Sequence, residues 1–145
     1  MPVIRPCGVC HARNRIPAAH LADEGRCGAC QAPLPPVAVP LDVDPALFDE
    51  IASAVSVPVL VDFWAAWCGP CRRAAPEVEK AAHNLAGRAV VVKVDTERHP
   101  DLAQRFGVQG IPNFAVIHCG RVVVQQPGLV PHTQLEAWVQ SAASA

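Results

Sequence analysis

Hydrophobic residues in the larger part of the chain, residues 37–145, follow two kinds of pattern. A short apolar run over residues 58–65, interrupted only by Asp62, predicts a strand that is buried on both faces, and a second run rich in β-branched residues, 89–94, predicts another strand. Two further apolar runs joined through Cys119-Gly120 predict an antiparallel hairpin formed by residues 114–117 and 121–125. The strands therefore predict a sheet that is covered by other elements.

Between these runs, apolar residues recur every three or four positions, which is the spacing of amphipathic helices. Asp44 followed by Pro45 is typical of an N-cap and a first helical position, and this helix has an apolar face of Leu47, Ile51 and Val55. Further helices are predicted over residues 69–85, 100–106 and around 135–142. Strands that alternate with helices and then pair as a hairpin predict an α/β fold, a mixed sheet with helices on both faces.

The first 36 residues differ from the rest because they show little apolar periodicity. They contain four Cys, two His and four Arg, and they end in a Pro-rich stretch, residues 32–36, that is typical of a semi-rigid linker. A segment this short and polar cannot bury enough surface to fold alone, so it requires a stabilising cross-link such as a disulfide or a bound metal ion. We therefore expect a small module and linker at 1–36, followed by a domain at 37–145.

Composition narrows the classes of function and compartment. Twelve basic and 13 acidic side chains give a net charge of -1, which argues against a nucleic-acid or membrane-surface partner. The longest apolar run, residues 57–67, is about half of what a bilayer requires. Residues 1–6 lack an apolar signal region, which predicts no secretory signal, although a mature secreted form fits the same observation. Six of the seven Cys lie in CxxC pairs, which in a reducing cytosol are typically metal or redox sites.

The pair Cys68 and Cys71 directly follows a predicted buried strand and opens a predicted helix. Cys71 belongs to the apolar stripe of that helix and is expected to be buried, together with Ala75, Val78, Ala82 and Leu85. Cys68 is expected to be exposed at the helix N-terminus, where the dipole favours a nucleophilic thiolate. A structural disulfide or half of a metal site is the alternative interpretation.

Residues 61–71, VDFWAAWCGPC, closely resemble the active-site segment of the thioredoxin family. The resemblance extends over 37–145 through Pro76, Lys93, Asp95 and Gly110-Ile111-Pro112, while Ala66 and Asn113 depart from the usual pattern. It implies a thioredoxin fold, a redox-active Cys68–Cys71 disulfide and reduction of protein disulfides without an organic cofactor. It further implies a monomer in the cytoplasm, recycled by an NADPH-dependent thioredoxin reductase.

The resemblance also implies roles for the residues around this pair. Asp62 is expected beneath Cys71 as its proton acceptor and donor, and its position in an apolar strand predicts a raised pKa. A core Asp satisfied by hydrogen bonds is the alternative. Lys93 is expected either to pair with Asp62 or to be a solvated strand-edge residue. A cis bond before Pro112 would offer backbone for strand-like pairing with a substrate. The expected substrate-binding residues are Trp67, Gly69, Pro70, Ile111 and Pro112.

The first two pairs are separated by 16 residues, a spacing typical of four thiolates around one tetrahedral zinc ion. The predicted ligands are Cys7, Cys10, Cys27 and Cys30. His11 and His20 are alternative ligands, and the four arginines would offset the charge of a four-thiolate centre. The segment resembles the N-terminal zinc module of zinc-containing bacterial thioredoxins, which implies one structural zinc ion.

Two further alternatives bear on function. Cys119 is expected to be a small, inert, partly buried residue, or else a regulatory thiol. For the whole chain, the alternative to a disulfide reductase is a redox-regulated, zinc-dependent, chaperone-like binding protein, in which oxidation of the zinc site exposes a surface.

Overall fold

A computed structural model of the chain describes residues 3–144. Residues 1 and 2, on which the predicted absence of a secretory signal partly rests, lie outside the described residues. None of the helices in the described part combines the length and apolar character needed to cross a membrane.

The N-terminal segment consists of two small antiparallel strand pairs on either side of a 3-10 helix, Ala18–His20. The strands are β1 (Val3–Pro6) with β2 (Arg13–Ile16), and β3 (Gly25–Arg26) with β4 (Pro33–Leu34). Strand β4 lies inside the stretch predicted as a linker. That part of the linker prediction is wrong, because the tight turn closed by the Cys27 N–H and the Ala32 carbonyl brings this stretch back alongside β3.

The remaining strands form one mixed sheet, as the sequence predicts, but the sheet has five strands where the apolar runs predicted four, because the short strand Leu41–Asp42 was not predicted. They are β5 (Leu41–Asp42), β6 (Val59–Trp64), β7 (Val90–Asp95), β8 (Asn113–His118) and β9 (Arg121–Pro127). Their order is β5-β7-β6-β8-β9. Strands β5, β7 and β6 are parallel to one another, β8 is antiparallel to β6, and β9 is antiparallel to β8. The central β6 is buried almost throughout, which explains its continuous apolar run.

Helices cover both faces of the sheet, as predicted. They are α1 (Pro45–Ala54), α2 (Gly69–Asn84), α3 (Pro100–Arg105) and α4 (His132–Ala143). Residues of α1 and α3 pack in one core cluster with β6 and β7, and residues of α2 and α4 pack in the other. Asp44 caps α1 as expected, with its carboxylate 2.8 Å from the Leu47 N–H.

The buried faces of two helices differ in detail from the predicted stripes. In α1, Ile51 is buried as predicted, but in the turn before it Phe48 is buried and Leu47 is only half-buried. In α2, Ala74 is buried and Ala75 is half-buried. A helix of 3.6 residues per turn allows either position on the same flank, and the neighbouring elements decide which one is covered.

The N-terminal segment contributes side chains to the core of the larger unit. Leu21 is fully buried, and it belongs with Ala18 to the same hydrophobic cluster as Ile51. The Val37 N–H donates a hydrogen bond to the Leu21 carbonyl at 2.9 Å. At Gly87 the backbone has a φ of 84°, and an added Cβ would lie 3.6 Å from the Pro36 ring. The two parts therefore share one apolar interior.

Candidate redox and metal sites

The pair Cys68 and Cys71 lies where the central strand β6 passes into α2. Cys68 is the N-cap of α2, and its sulfur accepts a hydrogen bond from the Cys71 backbone N–H at 3.1 Å. The two cysteines are joined as a disulfide, with their Cα atoms 5.2 Å apart. A sulfur at this position receives an N–H and the positive end of the helix dipole, and both stabilise a thiolate.

Both sulfurs of this pair are covered. Cys71 is 5% exposed, as expected, but Cys68 is 2% exposed, so the prediction of an exposed Cys68 is wrong. The Cys68 sulfur lies 3.7 Å from the Ile111 carbonyl oxygen and packs in a small cluster with Ala65. Ile111 is distant in sequence, so the apolar stripe of α2, on which the prediction was based, gives no information about that contact.

Asp62 lies on β6 below the disulfide and is 2% exposed. Burial raises the pKa of Asp62 to about 7, and the charge of Lys93 partly opposes that rise. Its Oδ1 has no hydrogen-bond partner among the described residues, which is contrary to a core Asp satisfied by hydrogen bonds. A cavity of about 270 Å³ is lined by Asp62 and Cys71, together with Arg72 and Lys93. The carboxyl and the inner cysteine therefore share one solvent-reachable space.

Lys93 is opposite Asp62 in the register of β6 and β7. Its ammonium lies 4.5 Å from the centre of the Trp64 ring, a cation–π contact. Lys93 is half-buried and forms no ion pair with Asp62. Its positive charge acts on the carboxyl through space, without direct contact.

The predicted substrate-binding residues surround the covered disulfide. Trp67 is 64% exposed, and its Nε1 donates a hydrogen bond to the Glu97 carboxylate at 2.5 Å. Pro70 is exposed beside it, and Gly69 is half-buried. On the opposite side, the Ile111–Pro112 peptide bond is cis, which confirms that prediction.

The four cysteines that were predicted to bind zinc form a compact cluster. The sulfurs of Cys7, Cys10, Cys27 and Cys30 all lie within 4.8 Å of one another. Two cross-pair distances are 3.7 Å, between Cys7 and Cys30, and 3.6 Å, between Cys10 and Cys27. Four thiolates at the usual Zn–S distance of about 2.3 Å lie roughly 3.8 Å apart in a tetrahedron. The donor set therefore fits zinc.

Comparisons with known proteins agree with this geometry. The thioredoxin family model matches residues 39–141. The chain belongs to the thioredoxin family. A protein named thioredoxin C-3 from Corynebacterium nephridii is 34% identical over 133 residues, covering 92% of this chain and 90% of that protein. Because this match is longer than residues 37–145, it extends into the four-cysteine segment.

Further relatives and solved structures match the larger unit. A protein named thioredoxin 1 from Chlorobaculum tepidum is 40% identical over 94 residues, covering 65% of this chain and 93% of that protein. A mutant thioredoxin from Halobacterium salinarum has a TM-score of 0.67 at 33% identity, covering 72% of this chain and 91% of that chain. Thioredoxin F from spinach chloroplast has a TM-score of 0.67 at 29% identity, covering 73% and 88%. This thioredoxin is therefore a protein-disulfide oxidoreductase, and its cysteine cluster is compatible with the zinc-containing subtype.

Hydrogen bonds from backbone N–H groups favour the thiolate form at two of the four cysteines, Cys7 and Cys27. The backbone N–H groups of Cys10 and Val9 lower the pKa of Cys7. The backbone N–H groups of Cys30 and Ala29, with the side chain of Asn14, lower the pKa of Cys27 to about 6. The Ala32 N–H also lowers the pKa of Cys30, but burial and the neighbouring cysteine side chains raise it to about 12. Because crowded thiolates repel one another, a cation would stabilise the full set.

Asn14 contacts the cysteine cluster, a position that the sequence did not predict for it. Its Nδ2 lies 3.6 Å from the Cys27 sulfur, and its Oδ1 accepts a hydrogen bond from the Gly28 N–H at 2.9 Å. It thereby holds the second cysteine turn in place, as outer-shell residues do at metal sites. The only sequence feature that pointed to such a contact is the place of Asn14, an amide residue, between the first two cysteine pairs.

The histidines do not join the cluster. Among the described residues, the group that could hold a metal contains the four cysteines alone. His20 instead contacts Asp23, with its Nδ1 2.8 Å from the carboxylate. His11 is exposed in the turn after Cys10, with a φ of 65°.

Cys119 lies in the turn between β8 and β9. It has a φ of 53° and is exposed, so the prediction of a partly buried residue is wrong. The hairpin turn needs left-handed backbone at both Cys119 and Gly120, and this turn carries the side chain outward.

Proposed function

We propose that this thioredoxin reduces disulfides in other proteins through the Cys68–Cys71 dithiol and is recycled by an NADPH-dependent thioredoxin reductase. The observation that carries the proposal is the arrangement of three groups. A cysteine pair caps α2, the inner cysteine lines a cavity, and the same cavity holds the buried Asp62 carboxyl. This arrangement supplies a stabilised nucleophile and a base for the resolving thiol.

In the first step, the Cys68 thiolate attacks one sulfur of a target disulfide. A new S–S bond joins Cys68 to the target, and the other target sulfur leaves as a thiolate that takes a proton from solvent. The helix N-terminus and the Cys71 N–H stabilise the attacking thiolate. The Ile111 backbone beside Cys68 is positioned to pair with an extended target segment.

In the second step, Asp62 takes the proton of the Cys71 thiol. The Cys71 thiolate attacks the Cys68 sulfur, the mixed disulfide breaks, and the second target sulfur leaves and is protonated. The Cys68–Cys71 disulfide forms, so two electrons and two protons have passed to the target. A group with a pKa of about 7 can accept and return a proton near neutral pH.

The reductase returns the disulfide to the dithiol with two electrons from NADPH. We place this cycle in the cytoplasm and assign it to a monomer. The adjacent thiols of the four-cysteine cluster favour a reducing compartment, since such compartments keep thiols from pairing as disulfides.

One zinc ion is proposed at the four-cysteine cluster, in a segment of residues 1–36. When bound, it supplies a structural cross-link between the two cysteine turns. The Val9 N–H and Asn14 Nδ2 contact the ligand sulfurs, and these contacts orient the turns. The module in turn contributes Leu21 to the shared core.

A coupled assay tests the proposed function. The full-length protein is incubated with insulin, NADPH and a bacterial thioredoxin reductase, with and without a zinc chelator. We expect NADPH oxidation and insulin precipitation that disappear in Cys68→Ser and Cys71→Ser variants. Absence of turnover with several reductases would contradict the recycling step. Suppression of protein aggregation that persists in the double variant would instead support the chaperone-like alternative.

A further inference from the structure

Two arginines directly follow the inner cysteine of the active site. Arg72 and Arg73 lie near the beginning of α2, and both side chains are exposed. Cations near a helix N-terminus oppose the helix dipole, whereas acidic residues there would stabilise it. The first turn of α2 contains no acidic residue. This placement breaks a local rule for helix stability, and such exceptions concentrate at functional sites.

The position of Arg72 is defined by a hydrogen bond. Its Nη2 donates to the Ala66 carbonyl at 2.8 Å, which places the guanidinium against the loop that precedes Cys68. Arg72 and Ala66 both line the cavity that contains Cys71 and Asp62. The positive charge is therefore held at the rim of the redox site.

Neither arginine is neutralised by another part of residues 3–144. The structure contains no ion pair for either side chain within that range. Glu77, one turn after Arg73, is engaged by Lys80 and by the His132 backbone N–H. Glu97 accepts the hydrogen bond from Trp67. The loop residue at position 66 is an alanine and contributes no charge.

We propose that Arg72 and Arg73 form a recognition surface for target proteins whose disulfides are flanked by acidic residues. The inference rests on the proposed function, since it names the targets of that reaction. Acidic residues next to the attacked disulfide would lie against Arg72 and Arg73, which have no ion-pair partner in the described part of the chain, and against the uncharged Ala66. A basic flank would meet charges of the same sign, and repulsion is an effective source of specificity.

The experiment uses reduced full-length protein in single turnovers, so that its result does not depend on a reductase. The substrates are three cyclic peptides with one disulfide each, identical except for two flanking Glu, Gln or Lys residues. The second-order rate constant of peptide reduction is obtained from the change in tryptophan fluorescence. Arg72→Gln, Arg73→Gln and the double variant are compared with Arg88→Gln. Arg88 follows the other end of α2, where its side chain donates to the Asn84 carbonyl.

We expect the Glu peptide to react fastest and the Lys peptide slowest. Each exposed ion pair contributes a factor of roughly two to five, so each single variant should reduce the Glu-to-Lys ratio by about that factor. The ratio should also approach one as the salt concentration is raised to about 1 M. Arg88→Gln removes the same charge and should leave the ratio unchanged.

Different results would contradict the preference for acidic targets and the proposed disulfide reductase activity. Equal second-order rate constants for the Glu and Lys peptides, or an equal change with Arg88→Gln, would overturn the acidic-target inference. Failure of the wild-type protein to reduce any peptide, including the Gln peptide, would overturn the proposed function and this inference with it.

Discussion

Asp62 and Lys93 are directly opposite each other on the parallel strands β6 and β7, yet they form no ion pair. The Lys93 ammonium contacts the Trp64 ring instead, and the Asp62 Oδ1 is buried without a partner among the described residues. The carboxyl is therefore costly to ionise in the folded protein. This cost has consequences for both stability and rate.

The free energy of unfolding should depend on pH through Asp62. Its pKa is about 7 in the folded protein and near the ordinary value of 3.8 in the unfolded chain. Between those values the folded state holds a proton that the unfolded state has lost, so stability falls as pH rises from about 4 to 7. The loss is on the order of 4 kcal/mol, at 1.36 kcal/mol per pKa unit. Urea unfolding of wild type and Asp62→Asn at several pH values measures it.

Asp62→Asn should be more stable than wild type at pH 8 and similar to it at pH 4. Glu79→Gln, which removes an exposed charge from α2 and keeps Asp62, is the matched control, and its free energy of unfolding should show the same dependence on pH as that of wild type. Equal stability of the Asp62→Asn and wild-type proteins at pH 8 would show that burial does not destabilise the carboxylate.

Asp62→Asn should also slow the resolving step, because the amide cannot accept the Cys71 proton. A positioned base typically accelerates such transfers by 10²–10⁴, so we expect a loss of roughly 10²-fold near pH 7. The deficit should shrink at pH 9, where hydroxide can remove the proton. Stopped-flow fluorescence of mixed-disulfide decay measures the rate. An identical rate in both proteins from pH 6 to 9 would assign Asp62 a structural role.

The two active-site cysteines should have unequal roles. Cys71→Ser should accumulate mixed disulfides with target proteins, visible on non-reducing gels and released by dithiothreitol, because Cys68 attacks and nothing resolves the product. Cys68→Ser should trap almost none. The comparison uses the full-length zinc-loaded protein carrying Cys119→Ser, since Cys119 is exposed and could trap targets by accident. The opposite pattern would reverse the two assignments.

Leu21→Ala should destabilise the whole protein, although Leu21 lies in the segment that precedes the thioredoxin core. The side chain is fully buried in the cluster that contains Ile51, and such truncations cost roughly 2–5 kcal/mol. Denaturant unfolding followed by tryptophan fluorescence reports the loss, since all three Trp lie in residues 37–145. Val9→Ala is the control, because Val9 is 71% exposed. Unfolding of the Trp-containing part at the wild-type midpoint would refute the shared core.

Zinc should bind with one ion per chain and should contribute to the same unfolding transition. Chelation should lower the melting temperature seen by tryptophan fluorescence, because loss of the cross-link releases the segment that carries Leu21. Elemental analysis gives the stoichiometry, and thermal unfolding followed by tryptophan fluorescence gives the melting temperature. Cys27→Ser/Cys30→Ser should retain no zinc. Two ions per chain, or full retention in that variant, would exclude the four-cysteine site.

Much of the architecture was predictable from local pattern. The period of the apolar residues predicted the sheet and its covering helices, and the Asp44-Pro45 pair predicted the start of α1. The spacing of the first four cysteines predicted their clustering. These features depend on residues that are near one another in sequence, so local rules were sufficient.

What the sequence by itself determined is therefore the kind of chemistry: a cysteine pair at the start of a helix, an acid in an apolar strand and a four-cysteine cluster. The tertiary structure alone decided which surfaces are open. Cys68 is covered because the distant Ile111 carbonyl lies over it, and Leu21 is buried because a core formed by other elements receives it. Arg72 is held at the site rim by a backbone carbonyl six residues earlier. Burial depends on every element that packs against a residue, and a one-dimensional pattern does not contain those contacts.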